Sequence, residues 1–169
     1  MRAQRITFIG ILLTIAVAIP AIGQTDRVKD AYHQFSIVPP KGWEPQERSG
    51  LFMNFNSPPE NGFRFNLGVS DADGTRTNLQ KVVKELKDGM NRIMQDYQVE
   101  EEVEVLIDGK KGVLFTGNFL LRNNKFKNMM YIIPANGKFY NINCSFLSDY
   151  LDKYKAVVEA AAKSAKFED

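Results

Sequence analysis

The chain has little of what most often carries chemistry in proteins. Its 169 residues include one cysteine, Cys144, and one histidine, His33. A single cysteine excludes an intrachain disulfide, and structural zinc sites use several cysteine or histidine ligands. The sequence also has no Gly-x-Ser-x-Gly motif around a serine nucleophile and no glycine-rich phosphate loop. We therefore predict no catalytic residues, no cofactor and no metal.

Beyond its first residues, the chain also lacks a long apolar run. Two arginines precede the uncharged run Ile6–Ile19, and small residues follow at Ala21 and Gly23. This order is typical of a secretory signal peptide that is cut after Gly23. The alternative is a retained anchor, but the run of 14 residues is shorter than the roughly 20 residues that span a bilayer. We predict a signal peptide over residues 1–23 and a secreted or periplasmic protein with no transmembrane segment.

The mature chain has no excess of either charge. Without the two signal arginines it carries 20 basic and 20 acidic residues. Nucleic-acid-binding domains normally carry a strong basic excess, so nucleic acid is not an expected partner. The remaining 146 residues have the length of one ordinary domain. Since no linker divides them, residues 24–169 are predicted to form a single domain.

Apolar periodicity predicts an α+β domain. Asn78 is the expected N-cap of the first helix, after a flexible segment over 71–77. Asp108-Gly109 and Asn136-Gly137 indicate hairpins, because both residues of each pair tolerate positive φ. We predict a mostly antiparallel sheet of about six to seven strands packed with two main helices. The predicted strands are 32–38, 51–55, 63–69, 102–107, 112–121, 126–133 and 139–146, and the predicted helices are 79–97 and 149–165.

Three stretches of the sequence resemble the PsbP-like family, whose fold is shared with the Mog1 proteins. They are Phe35–Trp43 with its Pro-x-Gly-Trp turn, Gly109–Gly112 opening a long strand, and Gly137–Cys144 followed by a helix ending near Phe167. The resemblance implies a Mog1/PsbP-like α/β sandwich and a bacterial secreted member of the family. It also implies a non-enzymatic protein that attaches to a larger assembly. In photosynthetic members that assembly is photosystem II, where the protein helps retain calcium and chloride.

Two short features of the sequence are candidates for chemical sites. Asp71-Ala72-Asp73-Gly74 is similar to the start of a calcium loop, but a full loop needs glycine at its sixth position and glutamate at its twelfth. Arg76 and Val82 stand there instead, so a solvated turn is the favoured interpretation, and calcium binding at Asp71 and Asp73 is left open. His33 is expected to be an ordinary, partly exposed side chain.

An acidic patch lies where the first helix meets the next strand. Paired carboxylates can cleave glycosides, but they need a fixed gap across a cleft. Several of these residues alternate along one strand, which favours a solvated face. The patch comprises Asp96, Glu100, Glu101, Glu102 and Glu104.

The strand phase opposite the core is polar and mostly uncharged. If the strands are neighbours, these side chains would cover part of one sheet face and could bind a partner or a polar ligand. The alternative is an ordinary wet face of an antiparallel sheet. We select Arg64, Asn66, Asn118, Asn141 and Asn143 as the candidate partner or ligand face. The wider set also contains Asn54, Asn56, Ser70, Thr116 and Ser145.

These observations favour a non-catalytic extracytoplasmic domain that binds or supports another protein. The expected partner is an envelope protein or complex. The alternatives are a carrier of a small polar or lipidic ligand held between sheet and helix and, third, an enzyme of unrecognised type. The sequence leaves the oligomeric state and the identity of the partner open.

Overall fold

The core of the protein is a seven-stranded antiparallel sheet. The computed structural model describes residues 26–75 and 77–168; the predicted signal peptide lies outside them. Within the described ranges, no helix is both long and apolar enough to cross a membrane. The strands are β3 (Glu44–Pro45), β4 (Met53–Asn56), β5 (Asn66–Asp73), β6 (Gln95–Ile107), β7 (Lys110–Leu121), β8 (Asn124–Ala135) and β9 (Lys138–Leu147). Their order in the sheet is β3-β4-β5-β9-β8-β7-β6.

Two α-helices and a small second sheet complete the described part of the chain. The helices are α1 (Leu79–Ile93) and α2 (Leu151–Lys163), the latter preceded by a single 3₁₀ turn. The small sheet has the order β1-β2-β10, from β1 (Val28–Asp30), β2 (Phe35–Ile37) and β10 (Lys166–Phe167). The predicted α+β class, with a mostly antiparallel sheet and two main helices, is confirmed.

Three tight turns connect the last four strands of the large sheet. Asp108 and Gly109 have φ of 51° and 73°, and Asn136 and Gly137 have φ of 50° and 70°. Two consecutive positive φ values match the right-handed twist of the flanking strands. The third turn uses Arg122-Asn123, with φ of 50° and 63°, which is shorter than the four-residue turn over 122–125 that the sequence predicted.

The structure corrects three predicted boundaries. β5 pairs with β9 through Asp73, so Asp71 and Asp73 lie in a strand and not in a flexible segment. α1 begins as predicted, with the Asn78 side chain accepting from the Lys81 N–H at 2.9 Å. It ends at Ile93, whereas the sequence predicted a helix to Tyr97, because β6 already begins at Gln95. β1, β3 and β10 were not predicted at all, since strands of two or three residues show no periodicity.

The two helices lie on opposite faces of the large sheet. The Tyr154 ring of α2 lies 5.8 Å from that of Phe146, so α2 covers the face that Phe146 shares with Cys144. Lys87 of α1 forms an ion pair with Glu102, which lies opposite Phe115 of β7. α1 therefore covers the face that contains Phe115. We call these the α2 face and the α1 face. Cys144 is fully buried, as its position in the strand predicted.

Candidate functional site

The α1 face has two halves that lie on different strands, one apolar and one polar. Residues paired across neighbouring strands share a face, so the register arranges this face in rows. On β7 and β8 the rows are mainly apolar, and α1 contacts β8 and β6 over this half. On β9, β5 and β4 the rows are polar and uncharged. The rows are Val113–Ile132–Asn141–Ser70, Phe115–Met130–Asn143–Gly68–Asn54 and Gly117–Asn128–Ser145–Asn66–Asn56.

We call the polar half the amide face. Its side chains are half-buried, apart from Asn54, which is buried. Asn66 Nδ2 donates to Asn54 Oδ1 at 3.1 Å, which links β5 to β4. The amide face therefore offers amide donors and acceptors without a formal charge. It consists of Asn54, Asn56, Asn66, Ser70, Asn141, Asn143 and Ser145.

Two amide oxygens in this region lack a hydrogen-bond partner among the described residues. They are Oδ1 of Asn141 and Oδ1 of Asn128, and both are buried. Asn128 Nδ2 donates to Ser145 Oγ at 3.0 Å. An unsatisfied buried polar atom costs about 1–3 kcal/mol. The amides at these two positions therefore lower the stability of the fold in comparison with well-packed apolar residues.

The structure brings together only part of the predicted site. Asn66, Asn141 and Asn143 lie on the amide face, on the neighbouring strands β5 and β9. Arg64 lies just before β5; it is exposed and 3.9 Å from Glu44. It therefore stands at the rim of the amide face.

Asn118 and Thr116 do not join this group. Asn118 is in register with Lys127, which is in register with Phe146 of the α2 face. Its Nδ2 donates to Glu100. Alternation along one strand does not give its register with the next, and the polar phase of β7 is opposite to that of β9. Asn128 was not predicted to lie on this face. It is spaced by two residues from Phe126 and Met130 on β8, so all three side chains lie on the same face.

One apolar side chain packs onto the amide face. A Cβ atom on Gly68 would lie 2.7 Å from Leu51 Cδ1 and 3.6 Å from Asn143 Nδ2. The glycine therefore provides the space in which Leu51 lies over β5. A cleft of about 310 Å³ adjoins the amide face at Asn56 and Arg64. The face thus has a polar floor with an apolar contact at one side.

A second cluster surrounds the only histidine. His33 Nδ1 lies 3.0 Å from Asp71 Oδ2, and Lys138 Nζ lies 2.8 Å from the same oxygen. The His33 ring stacks on Phe52 with centroids 4.1 Å apart. The Tyr140 hydroxyl donates to the His33 carbonyl oxygen at 2.7 Å. These contacts join the small sheet to the large one and hold the imidazole in a fixed orientation.

The electrostatics of this cluster favour an ionised Asp71. Burial raises the pKa of Asp71, but the hydrogen bonds from His33 and Lys138 outweigh it and leave that pKa below its ordinary value. The hydrogen bond to Asp71 also raises the pKa of Lys138. The ammonium group opposes a second cation at this carboxylate. Among the residues with described positions, no group of three or more acidic, histidine or cysteine side chains could hold a metal ion.

The cluster supplies two of the three groups of a hydrolytic triad. His33 and Asp71 have the geometry of a base and its orienting group, and they line a cleft of about 460 Å³. A triad also needs a nucleophile within hydrogen-bond reach of the base. No serine, threonine or cysteine among the described residues makes such a bond to His33. We interpret the cluster as a structural tie between the two sheets.

Comparison with solved structures finds the same fold in several bacterial proteins. Cyanobacterial PsbP (CyanoP) from Synechocystis sp. PCC 6803 is 16% identical, with a TM-score of 0.68 over 87% of this chain and 95% of that one. LpqN, involved in cell envelope biogenesis of Mycobacterium tuberculosis, is 12% identical, with a TM-score of 0.64 over 80% of this chain and 83% of that one. PA94 from Pseudomonas aeruginosa, a putative regulator of unknown function, is 10% identical, with a TM-score of 0.59 over 84% of this chain and 96% of that one.

Comparison of the sequence alone finds no related family or curated protein. No family model matches the chain, and no curated protein matches it by sequence. The likeness therefore lies in the arrangement of the strands and helices, and at 10–16% identity it establishes the fold and not an activity. The structure thus confirms, at the level of the fold, the resemblance that the sequence suggested: the chain has the PsbP-like fold of CyanoP and LpqN.

Proposed function

We propose that this protein is a non-catalytic accessory domain that works outside the cytoplasm and docks on an envelope protein or complex through its amide face. One observation carries the proposal. Half of the α1 face is apolar and covered by a helix, and the other half carries uncharged amides and hydroxyls on β9, β5 and β4, arranged around Gly68. The buried Asn141 oxygen has no hydrogen-bond partner among the described residues, which indicates a role for this polarity other than stability.

Uncharged amides suit a protein partner. Each one can both donate and accept, and it is less costly to remove from water than a charged group. Protein interfaces contain about one hydrogen bond per 100–200 Å² together with an apolar core. Leu51, lying on the amide face, provides an apolar contact of this kind. The predicted signal peptide and the fold shared with LpqN, a protein of cell envelope biogenesis, support an envelope partner.

The test places a charge on the amide face and compares it with the same change on the opposite face. We expect the double substitution Asn66→Lys with Asn143→Lys to abolish capture of the partner from cross-linked native envelope. Asn118→Lys is the matched control, because Asn118 lies in the same sheet on the α2 face. The control should capture the partner as well as wild type does.

The folded state of each variant is checked separately by thermal unfolding. If the double variant is less stable than wild type, the smaller change Asn143→Asp still places a charge on the face. Undiminished capture by folded amide-face variants, or equal loss in the Asn118→Lys control, would contradict the proposal.

The carrier function predicts a different result. Between α2 and the large sheet, Tyr154, Val158 and Ala162 are buried and fill the space, so a small ligand would have to occupy a surface cleft. A cleft of about 760 Å³ lies along β4, lined by residues that include Arg48, Leu51 and Phe55. Native mass spectrometry of protein purified from its source would detect such a ligand. A bound small molecule that is lost on changing Arg48→Glu would favour the carrier over the docking domain.

A further inference from the structure

The two edges of the large sheet differ sharply. One edge is β3, a strand of two residues that contains Pro45. Short strands and prolines are common ways to prevent a sheet edge from pairing with another chain. The other edge is β6, a strand of 13 residues without proline. Among the described residues only β7 pairs with it, so its outer N–H and C=O groups face away from the sheet.

The regular part of this edge is Glu101–Ile107. Register shifts interrupt the pairing of β6 with β7 before Glu101, and from there to Ile107 the pairing is continuous. Seven residues of strand extend roughly 23 Å, which is long enough to pair with an added strand. Irregular pairing, which would blunt an edge, is confined to the first half of β6.

Apolar side chains concentrate at the same edge. Seven large hydrophobic residues are substantially exposed in the part of the chain that the structure describes. Val99, Val103 and Leu106 lie on β6, and Ile93, which is 74% exposed, is the last residue of α1. By their register, Val99 and Leu106 lie on the α1 face and Val103 lies on the α2 face, so both faces of this edge carry exposed apolar side chains.

The charge of the edge is acidic. Glu100 and Glu102 form ion pairs with Lys127 and Lys87. Glu101 and Glu104 are exposed and form no ion pair with any described residue.

The two unpaired carboxylates border both sides of the edge. Glu101 is in register with Thr116 of the α2 face, and Glu104 with Val113 of the α1 face. A second copy of the chain pairing at this edge would bring like charges together, which is unfavourable.

We infer that Glu101–Ile107 accepts an extended basic and apolar segment of a partner protein as an added strand. Hydrogen bonds between the two main chains would provide affinity, as in other cases of strand addition. Glu101 and Glu104 would select lysine or arginine at positions three residues apart, and Val103 would contact an apolar residue between them. This surface is separate from the amide face, which lies on β4, β5 and β9.

A short peptide tests the inference. The probe is a labelled decapeptide with the core Lys-Val-Val-Lys, which presents the same order in parallel and antiparallel pairing. Binding to the mature protein is measured by fluorescence anisotropy at low salt. We expect Glu101→Lys with Glu104→Lys to weaken binding at least tenfold, because two attractive pairs become repulsive. Glu47→Lys is the control, since Glu47 is exposed and lies on a loop far along the chain from β6.

Main-chain pairing is tested with two modified probes. Each carries one N-methyl group, on the first or on the second valine of the core. Because alternate N–H groups of a strand point to the same side, only one of the two methylated peptides should lose binding. Equal binding by both would show attraction of charge without strand addition, and it would overturn the inference, as would absence of binding by the parent peptide.

The result can be separated from the proposed function. The amide-face variant Asn66→Lys with Asn143→Lys should bind the peptide as wild type does. If that variant loses the peptide while the Glu101→Lys with Glu104→Lys variant retains it, the inference is wrong and the peptide binds at the amide face.

Discussion

Changing Asp71→Asn should lower the stability of the protein in a pH-dependent way. The Asp71 side chain is only 16% exposed, and its Oδ2 lies 3.0 Å from His33 Nδ1 and 2.8 Å from Lys138 Nζ. A hydrogen bond to a charged group contributes about 1.5–3 kcal/mol. Asparagine keeps one acceptor oxygen and loses the charge, so we expect a loss of about 2 kcal/mol at pH 7. For a domain of this size that corresponds to roughly 4–8 °C in Tm.

The sign of the pH dependence follows from the lowered pKa of Asp71. A carboxylate whose pKa is lower in the folded state stabilises that state above its unfolded pKa of about 3.9. This contribution is lost as the pH falls through the folded pKa. The difference between wild type and Asp71→Asn should therefore be full at pH 6–7 and shrink below about pH 4.

Urea unfolding followed by the fluorescence of Trp43, the only tryptophan, measures this difference. Asp96→Asn is the matched control, because Asp96 is exposed and has a left-handed φ of 54° that asparagine also adopts. The control should change the free energy of unfolding by less than about 0.5 kcal/mol. A stability of Asp71→Asn equal to wild type at pH 7, or a difference that persists unchanged at pH 3, would show that the ionised Asp71 carboxylate does not stabilise the fold.

Three further predictions concern two buried positions and one position in a helix. Gly117→Ala should destabilise the protein by about 1–3 kcal/mol, because its Cβ would lie 2.7 Å from the Tyr97 ring and 2.8 Å from the Gln98 carbonyl oxygen; an unchanged urea midpoint would contradict this. Gly89→Ala should instead stabilise α1 by about 0.5–1 kcal/mol, since the nearest atom is 4.0 Å away, and a lower midpoint would contradict it. Burial raises the pKa of the Cys144 thiol, so a disulfide reagent should label it only at the rate of unfolding, and rapid labelling of the folded protein would show that the thiol is accessible.

Some features of the candidate site could be predicted from the sequence. Asn66, Asn141 and Asn143 alternate with buried apolar residues on their own strands, and each alternation gives the phase of that strand. Whether two strands present the same phase on the same face depends on their register, which separates Asn118 from the others and adds Asn128. The acidic stretch was predicted to be a solvated face because its residues alternate along one strand, and that pattern does not show that β6 lies at the edge of the sheet.

The features that could be predicted from the sequence depend on local interactions. Asn78 caps α1 through a bond to a residue three positions away, and the Asp-Gly and Asn-Gly turns close hairpins between strands adjacent in the chain. These features depend on neighbours in the sequence, as does the periodicity that predicts an α+β domain.

Contacts between residues that are distant in the sequence depend on how the strands assemble. β5 extends to Asp73 because β9 pairs with its whole length, and the short β10 exists because β2 lies beside it. The same long-range pairing sets His33 against Asp71 and leaves β6 at the edge. Contacts of this kind depend on strand order and register, and these are properties of the whole chain that no single segment encodes.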